Sequence, residues 1–260
     1  MKTNSMKSNF KLLTIVAFLA TFLYSCDSDD PVLNAPIISN FEFGEGSDHS
    51  TDPIAYKGAD IHLEAEINAE ATVSSITVFV HAHDLDPGEG EVDWEFEQVY
   101  TKASYLVINP IFHEHIDVPN NIPAGEYHIE LVVTDELGNT TEVEGHIDIL
   151  DPITLSEISI DDTVERGDDF HVEFKIDAVN GIHSISIDVH AHDLTVGAGE
   201  EEWDYKEEIL GDYHEKTSAE FHEHFDVPST APAGEYHLMF TVEDEDGNTK
   251  EYETHIDVTA

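Results

Sequence analysis

Residues 123–140 have the sequence Pro-Ala-Gly-Glu-Tyr-His-Ile-Glu-Leu-Val-Val-Thr-Asp-Glu-Leu-Gly-Asn-Thr. Every second residue from Tyr127 to Val133 is apolar, which is the period of a β-strand with one buried face. The segment from Asp135 to Thr140 supplies hairpin turn residues. Apolar residues then return at Val143 and Ile147. The stretch therefore predicts two adjacent antiparallel strands.

This strand, turn and strand resemble the last two strands of bacterial immunoglobulin-like domains, with Tyr127 in the tyrosine-corner position. Residues 61–67 and 76–80 also alternate between apolar and polar side chains. No segment has a sustained helical period. The sequence predicts an all-β fold built from short strands, which is typical of a β-sandwich.

The chain contains an internal repeat. Residues 33–150 align with residues 142–259 without a gap at an offset of 109. Phe112-His-Glu-His-Ile-Asp-Val-Pro119, for example, aligns with Phe221-His-Glu-His-Phe-Asp-Val-Pro228. We therefore predict two tandem immunoglobulin-like sandwiches, at residues 36–150 and 151–260, each of ordinary size for this fold.

The N-terminus has the layout of a secretory signal peptide. Residues 1–25 contain three lysines and no acid, and Leu12 to Leu23 form an apolar run. The sequence Leu23-Tyr-Ser-Cys26 resembles the lipobox of bacterial lipoproteins, and Cys26 is the only cysteine. We expect cleavage before Cys26, lipidation of its thiol and amine by fatty acyl chains such as palmitate, and an acidic tether over residues 26–35.

The charge of the chain excludes some partners. It carries 10 basic and 57 acidic residues, and without the three lysines of the signal peptide the net charge is −50. A field of this sign repels nucleic acids and anionic lipids and attracts cations. We therefore expect no binding to nucleic acid.

Histidines are the most informative residues. Of the 17 in the chain, 14 occupy equivalent positions in the two repeats, and only His49, His183 and His214 have no equivalent. Loop sequences such as residues 86–91 and 195–200 differ between the repeats. The retained histidines therefore indicate selection for a shared property.

Strand geometry predicts a first cluster of histidines. In an immunoglobulin-like sandwich the third, sixth and seventh strands are neighbours in one sheet. Outward-facing histidines at their adjoining ends would then converge, within reach of one ion about 2.0–2.1 Å from each nitrogen. The predicted ligands are His81, His83, His128 and His146 in the first domain and His190, His192, His237 and His255 in the second.

A second group has the same outward parity on the second and fifth strands. It comprises His62, His113, His115 and Asp117 in the first domain and His171, His222, His224 and Asp226 in the second. In the immunoglobulin-like strand order this group is a separate cluster on the opposite sheet. A different strand order would merge the two groups, and the sequence does not choose between these arrangements.

Imidazole ligands favour zinc or copper over calcium. Glu130 or Asp148 could complete the first cluster, whereas the acids near residues 84–93 lack the spacing of a calcium loop. The alternatives are an unliganded histidine ladder, a pH-responsive face or contacts to a partner. Trp94 and Trp203 are expected in the core rather than on a carbohydrate-binding surface.

No enzymatic activity is predicted. The sequence has no Gly-x-Ser-x-Gly or His-Glu-x-x-His motif and no phosphate-binding glycine loop. The His-Glu-His elements put two histidines on one face of a strand, whereas the metalloprotease motif requires a helix.

The combination of His-x-His, Phe-His-Glu-His-x-Asp-Val-Pro, Pro-Ala-Gly-Glu-Tyr-His and Asp-x-x-Gly-Asn resembles the Bacteroidota lipoprotein family catalogued as domain of unknown function 4625. The resemblance covers most of residues 36–258. It implies an immunoglobulin-like fold and a location in the cell envelope, and it supplies no established activity.

Two functions follow as hypotheses. The first is an outer-membrane lipoprotein that faces the cell exterior, captures zinc or copper and delivers it to an outer-membrane transporter or other envelope protein. The second is a non-catalytic, adhesin-like or scaffold lipoprotein that binds a protein or glycan partner.

Overall fold

The alternating segments form strands throughout the part of the chain that can be described. The structure, a computed structural model, describes residues 33–47, 49–191 and 193–260. The first sandwich consists of β1 (Ile37–Glu45), β2 (Ile54–Tyr56), β3 (Asp60–Asn68), β4 (Val73–Ala82), β5 (Glu95–Tyr100), β6 (Ile111–Asp117), β7 (Gly125–Asp135) and β8 (Thr140–Leu150). The second consists of β9 (Ile153–Ile160), β10 (Thr163–Glu165), β11 (Asp169–Ala178), β12 (Ile182–Ala191), β13 (Tyr205–Ile209), a 3-10 turn (Gly211–Tyr213), β14 (Ser218–Asp226), β15 (Gly234–Asp244) and β16 (Thr249–Thr259).

Each sandwich pairs a three-stranded sheet with a five-stranded sheet. The strand orders are β1-β3-β6 and β2-β8-β7-β4-β5 in the first sandwich, and β9-β11-β14 and β10-β16-β15-β12-β13 in the second. As predicted, β4, β7 and β8 are neighbours in one sheet, while β3 and β6 belong to the opposite sheet. The prediction of an all-β fold with two tandem immunoglobulin-like sandwiches is confirmed.

The core is formed by the inward residues of the alternating strands. Ile61, Leu63 and Ala65 on β3 are fully buried, as are Ile129 and Leu131 on β7. Burial of such side chains contributes roughly 1.5–3 kcal/mol each for the larger ones, so the alternation fixes which face of each strand is outward.

The predicted tyrosine corner is present in both sandwiches. The buried hydroxyl of Tyr127 donates to the carbonyl of Pro123 at 2.9 Å, and the hydroxyl of Tyr236 donates to the carbonyl of Pro232 at 3.0 Å. Each tyrosine thus lies at the start of its strand, β7 or β15, with its phenol hydrogen-bonded as buried polar groups require.

The hairpin that follows β7 uses the carboxylate of Asp135. This carboxylate accepts hydrogen bonds from the backbone N–H of Leu137 and Asn139, both at 2.9 Å, and Gly138 adopts a left-handed conformation with φ of 83°. A glycine accepts this conformation without steric cost. The Asp-x-x-Gly-Asn motif is therefore a turn that sets the register of β7 and β8.

The ungapped alignment of the two repeats is wrong at its N-terminal end. Phe43 on β1 faces Leu63 and Ile160 on β9 faces Val172, so the first strands are related by an offset of 117 rather than 109. The difference lies in the next connection, because residues 46–53 join β1 to β2, whereas only residues 161 and 162 join β9 to β10. The first sandwich thus carries a loop that the second lacks.

The predicted signal peptide, residues 1–25, and the predicted lipidation site Cys26 lie outside the described residues. Within the described ranges, no helix is long and apolar enough to span a membrane.

Candidate metal centres

The outer face of the β1-β3-β6 sheet carries a group of four histidines. His62 lies on β3, His113 and His115 lie on β6, and His49 lies in the loop that joins β1 to β2. His62 is directly opposite His115 in the strand register. One nitrogen from each of the four rings lies within 4.8 Å of the others. The predicted second group is therefore a separate cluster, and His49 joins it.

The four rings form one compact group. The ring centroid of His62 lies 4.4 Å from that of His49, 4.8 Å from that of His113 and 5.4 Å from that of His115. Four imidazoles from two strands and one loop thus lie side by side, with ligand nitrogens within 4.8 Å of one another. Tetrahedral coordination of zinc, with each nitrogen about 2.0–2.1 Å from the ion, would require the rings to move closer together.

His62 is the buried member of this group, although its parity on β3 predicted an outward, solvent-facing ring. Its side chain is only 4% exposed because His49 lies over it. Burial lowers the pKa of His62 below its ordinary value, and the neighbouring His49, His113 and His115 lower it further. His62 is therefore neutral at neutral pH, which is the form of imidazole that binds metal ions.

The Nδ1 atom of His62 is buried and, among the described residues, has no hydrogen-bond partner. A buried polar atom without a partner carries a desolvation cost, and a bound ion is one of the few groups that can remove it. Nδ1 of His237, in the histidine row of the second sandwich, is buried without a partner in the described part of the chain as well. What distinguishes the four-histidine group is that such an atom occurs together with four imidazoles whose ligand nitrogens lie within 4.8 Å of one another.

Asp60 orients one of the histidines. Its Oδ2 lies 2.5 Å from Nδ1 of His115, which leaves Nε2 of that ring available to an ion. In zinc sites a carboxylate commonly accepts a hydrogen bond from the ligating imidazole, which fixes the tautomer of the ring and raises its basicity. Asp60 was not among the residues predicted from the sequence.

Two glycines allow the loop over residues 46–53 to fold onto this sheet. A Cβ atom at Gly44 would lie 2.3 Å from the backbone oxygen of Asp52, and one at Gly46 would lie 2.3 Å from Oδ1 of Asp60. His49 itself has a φ of 49°, in the left-handed region. The loop is thus held closely against the strands, with His49 over His62.

The second sandwich has a smaller version of the same group. His171 on β11 and His222 and His224 on β14 have ligand nitrogens within 4.8 Å of one another. Nδ1 of His224 lies 2.6 Å from Oδ2 of Asp169, which reproduces the pairing of His115 with Asp60. The side chain of His171 is 25% exposed, because the second sandwich has no loop equivalent to residues 46–53.

The aspartates predicted for this cluster are not part of it. Asp117 and Asp226 end β6 and β14, opposite Asp60 and Asp169 respectively. Among the described residues, neither belongs to a group of potential ligands within 4.8 Å of one another. The aspartates that contact the histidines are Asp60 and Asp169, which lie on the central strand of each sheet. Each contacts a histidine at a diagonal position on the neighbouring strand, His115 or His224.

The first predicted cluster forms a row on the five-stranded sheet rather than one four-ligand group. His81, His128 and His146 lie directly opposite one another on β4, β7 and β8, with ring centroids 5.0 and 5.2 Å apart. His83 follows the end of β4 at Ala82, and its centroid lies 5.6 Å from that of His146.

Within this row, only His83, His146 and Glu126 have ligand atoms within 4.8 Å of one another in the described part of the chain. Nδ1 of His83 lies 2.6 Å from Oε1 of Glu126, and this hydrogen bond raises the pKa of His83. The side chains of His83 and Glu126 are 56% and 48% exposed. This arrangement is typical of a solvated ion pair, and a metal ion there would have to displace a proton.

The carboxylates near the row differ from those predicted. Glu126 contacts His83, and Oε2 of Glu144 lies 3.4 Å from Nε2 of His128. Among the described residues, Glu130 and Asp148 belong to no group of ligand atoms within 4.8 Å of one another.

The equivalent row of the second sandwich is described in part. The rings of His190, His237 and His255 follow one another at centroid distances of 4.9 and 5.2 Å. The predicted ligand His192 lies outside the described residues. The three-stranded sheets, rather than these rows, therefore present the groups best arranged for an ion.

The two tryptophans are core residues, as expected. Trp94 is 9% exposed and packs 5.6 Å from the ring of Tyr127, while Trp203 is 7% exposed and packs 5.0 Å from the ring of Tyr236. Neither offers a flat exposed surface for stacking against a sugar.

Comparison with known proteins identifies the family. The profile of the family described as "Domain of unknown function (DUF4625)" matches residues 24–150 and again residues 151–259. The chain belongs to the DUF4625 family. No curated protein sequence matches it significantly.

Solved structures resemble this DUF4625 chain only distantly. A 1.5-MDa bacterial ice-binding adhesin is 13% identical with a TM-score of 0.34, over 87% of this chain and 66% of that one. A red sea bream transglutaminase is 9% identical with a TM-score of 0.31, over 88% and 31%. The Bacteroides ovatus mixed-linkage glucan utilization locus protein SGBP-B, in complex with a heptasaccharide, is 15% identical with a TM-score of 0.25, over 87% and 48%. The DUF4625 chain thus spans less than two thirds of the length of each.

Proposed function

We propose that this protein is a cell-envelope lipoprotein that binds a transition-metal ion, zinc or copper, on the three-stranded sheet of each sandwich. The ligands in the first sandwich are His49, His62, His113 and His115. The ligands in the second are His171, His222 and His224. The observation that carries the proposal is the buried, neutral ring of His62 with three other imidazoles around it.

The composition of these groups selects the class of ion. All of their ligand atoms are imidazole nitrogens, which suit zinc, copper and nickel, whereas calcium and magnesium require oxygen ligands. The carboxylates of Asp60 and Asp169 stand behind the rings as orienting groups. Zinc or copper is therefore the expected cargo.

An unliganded ladder of histidines explains the four-histidine group of the first sandwich less well. A ladder exposed to water could hydrogen-bond each ring to solvent, but Nδ1 of His62 is buried without a hydrogen-bond partner among the described residues. Protonation cannot relieve this, because His49, His113 and His115 around it disfavour a positive charge on His62. A metal ion satisfies several neutral imidazoles at once.

The location and the destination of the metal are part of the proposal. A signal peptide ending at Ser25 and acyl chains on Cys26 would anchor the protein in the outer membrane, facing the cell exterior. The net charge of −47 for the whole chain would concentrate cations around it. Delivery of the bound ion to an outer-membrane transporter or another envelope protein would then complete its role.

The experiment is equilibrium dialysis of the purified protein against zinc or copper at micromolar free ion, followed by elemental analysis. We expect at least one retained ion per sandwich. The double variant His62→Ala with His171→Ala removes one ligand from each group and should retain two ions fewer than the unmodified protein. His81→Ala, which lies outside these groups, is the matched control and should keep them. Absence of retained metal in the unmodified protein contradicts the proposal.

A second candidate function is a metal-independent scaffold or adhesin-like module that binds a protein or glycan partner. One feature favours it: Val107 and Ile108 in the loop between β5 and β6 and Ile111 at the start of β6 are 41%, 56% and 63% exposed. Adjacent exposed apolar side chains are typical of contact surfaces. Binding of a partner that is unaffected by chelators and by the His62→Ala variant would favour this function over metal capture.

A further inference from the structure

Two histidines that have no equivalent in the other repeat meet at one place in the second sandwich. His183 lies on β12, His214 follows the 3-10 turn at Gly211–Tyr213, and Glu245 follows the end of β15. Oε2 of Glu245 lies 3.4 Å from Nδ1 of His183, and Oε1 lies 3.3 Å from Nε2 of His214. The ring centroids of the two histidines are 5.9 Å apart.

The backbone holds these three residues in place. The N–H of Glu215 donates to the carbonyl of Ile182 at 2.8 Å, and the N–H of Ile182 donates to the carbonyl of Lys216 at 2.9 Å. The N–H of Glu245 donates to the carbonyl of Gly181 at 3.1 Å. Each of the three connections is thus hydrogen-bonded to the start of β12, next to His183.

His183 occupies a β-bulge. The register of β12 with β15 shifts between Ile182 and Ser184, so that His183 is the extra residue. Bulges redirect the side chain of the extra residue and often occur at functional sites. Here the bulge turns His183 toward His214 and Glu245.

The three ligand groups lie close enough to share an ion. One ligand atom from each of the three residues lies within 4.8 Å of the others. The nitrogen-to-oxygen distances of 3.4 and 3.3 Å join the two rings to different oxygens of Glu245, so that a shared ion would lie between the carboxylate and both imidazoles. Both distances are long for charge-assisted hydrogen bonds, which are usually about 2.7–2.9 Å.

The first sandwich has the same backbone without the histidines. Its β4 has a bulge between Val73 and Ser75, and the extra residue is Ser74, whose hydroxyl donates to the carbonyls of Thr134 and Asp135. The N–H of Glu136 donates to the carbonyl of Thr72, as Glu245 does to Gly181. The carboxylate is therefore common to both sandwiches, and the imidazoles occur only in the second.

We infer that His183, His214 and Glu245 form an additional site for a divalent transition-metal ion, with zinc as the probe, in the second sandwich alone. Two imidazoles and one carboxylate are a ligand set that zinc accepts, with water in the remaining position. The side chains are 47%, 44% and 34% exposed, so the site is open to solvent and the ion exchanges freely. The site is independent of the histidine groups on the three-stranded sheets.

The test measures the reaction of individual histidines with diethyl pyrocarbonate in the purified full chain, by proteolysis and mass spectrometry, with and without zinc. At a free zinc concentration ten times the dissociation constant, the rate at His183 and at His214 should fall about tenfold, because about one site in eleven is then empty. The exposed His113 and His115 report the proposed site of the first sandwich in the same sample.

The control variant is His183→Ser, which introduces the residue that Ser74 provides at the same bulge of the first sandwich and so should preserve the fold. In this variant zinc should no longer protect His214. Unchanged rates at His183 and His214, or protection of His214 that persists in the variant, would overturn the inference. If zinc protects His183 and His214 in the unmodified chain but does not protect His113 and His115, the result contradicts the proposed function and supports this additional site.

Discussion

The three-stranded sheets of the two sandwiches carry the same strand histidines but differ in one loop. In the first sandwich, residues 46–53 place His49 over His62, whose side chain is 4% exposed. In the second, residues 161 and 162 replace that loop, and His171 is 25% exposed. Four protein ligands are typical of closed structural zinc sites, whereas three leave a coordination position for water. This one loop thus gives the first sandwich a group of four histidines and leaves the second with three.

Under the proposed function, the two groups would play different roles. The group of four would retain its ion, whereas the group of three would exchange its ion with a partner that supplies the missing ligand. The two groups share their strand register and the carboxylate behind one ring, so under the proposed function both would accept the same class of ion.

The largest expected effect comes from removing the central ligand of each group. His62→Ala should weaken zinc binding in the first sandwich by more than about 100-fold, since even the loss of a residue that only hydrogen-bonds to a ligand typically costs about 10–100-fold. His171→Ala should do the same at the three-histidine group of the second sandwich. Competition with a chromophoric chelator measures both. Each variant should leave the other sandwich unaffected, and an equal loss in both would show that the sites are not separate.

A smaller effect is expected from removing the residue that distinguishes the two sandwiches. His49→Ala should reduce the affinity of the first sandwich by about 100-fold or less, to a value close to that of the second, because three strand histidines then remain in each. The same chelator competition measures this convergence. An unchanged affinity of the first sandwich would exclude His49 as a ligand.

The orienting carboxylates should have a smaller effect still. Asp60→Asn and Asp169→Asn keep the size of the side chain but remove its charge. Each should weaken zinc binding at its own site by about tenfold, since losing a residue that hydrogen-bonds to a ligand typically costs about 10–100-fold in affinity. Asp117→Asn is the matched control on the neighbouring strand. If Asp117→Asn weakens binding as much as Asp60→Asn does, the effect arises from the negative charge of the region and not from the contact between Asp60 and His115.

The smallest effect concerns the stability of the metal-free protein. The folded-state pKa of His62 is lowered by burial and by its histidine neighbours. At His62 the unfolded chain therefore binds a proton more readily than the folded protein. Near and below the ordinary histidine pKa of about 6.5, protonation of the unfolded chain lowers the free energy of unfolding, whereas well above that pH His62 has no such effect.

Denaturation of the Trp203→Phe variant, in which Trp94 is the only tryptophan, would follow the first sandwich alone. Its free energy of unfolding should decrease on acidification through this window. Adding His62→Gln should make that decrease smaller. The opposite sign, with stability rising on acidification because of His62, would contradict the assigned environment of this ring.

Strand parity, the repeat and the resemblance to immunoglobulin-like domains predicted the fold. Alternation placed His62, His113 and His115 on one outer face as a possible second cluster, beside the leading prediction at His81, His83, His128 and His146. The sequence alone does not decide whether the two groups merge, and the observed strand order separates them. The order of strands in an immunoglobulin-like sheet is fixed, so a sequence assigned to this fold can predict which strands are neighbours and which distant residues lie close together.

The missed residues all lie where that strand order gives no information. His49 belongs to a loop whose path depends on the close approaches at Gly44 and Gly46, and an ungapped alignment left it without an equivalent. Asp60 is one of 57 acidic residues, and only the diagonal contact with His115 distinguishes it. Loop conformation and diagonal contacts arise from tertiary packing rather than from local periodicity.

The most direct test is anomalous diffraction at the zinc absorption edge from crystals grown with zinc. We predict one anomalous peak within bonding distance of His49, His62, His113 and His115, and one within bonding distance of His171, His222 and His224. Ordered crystals in zinc with no peak at either group, or with peaks only at exposed carboxylates, would contradict the proposal that these imidazoles share an ion.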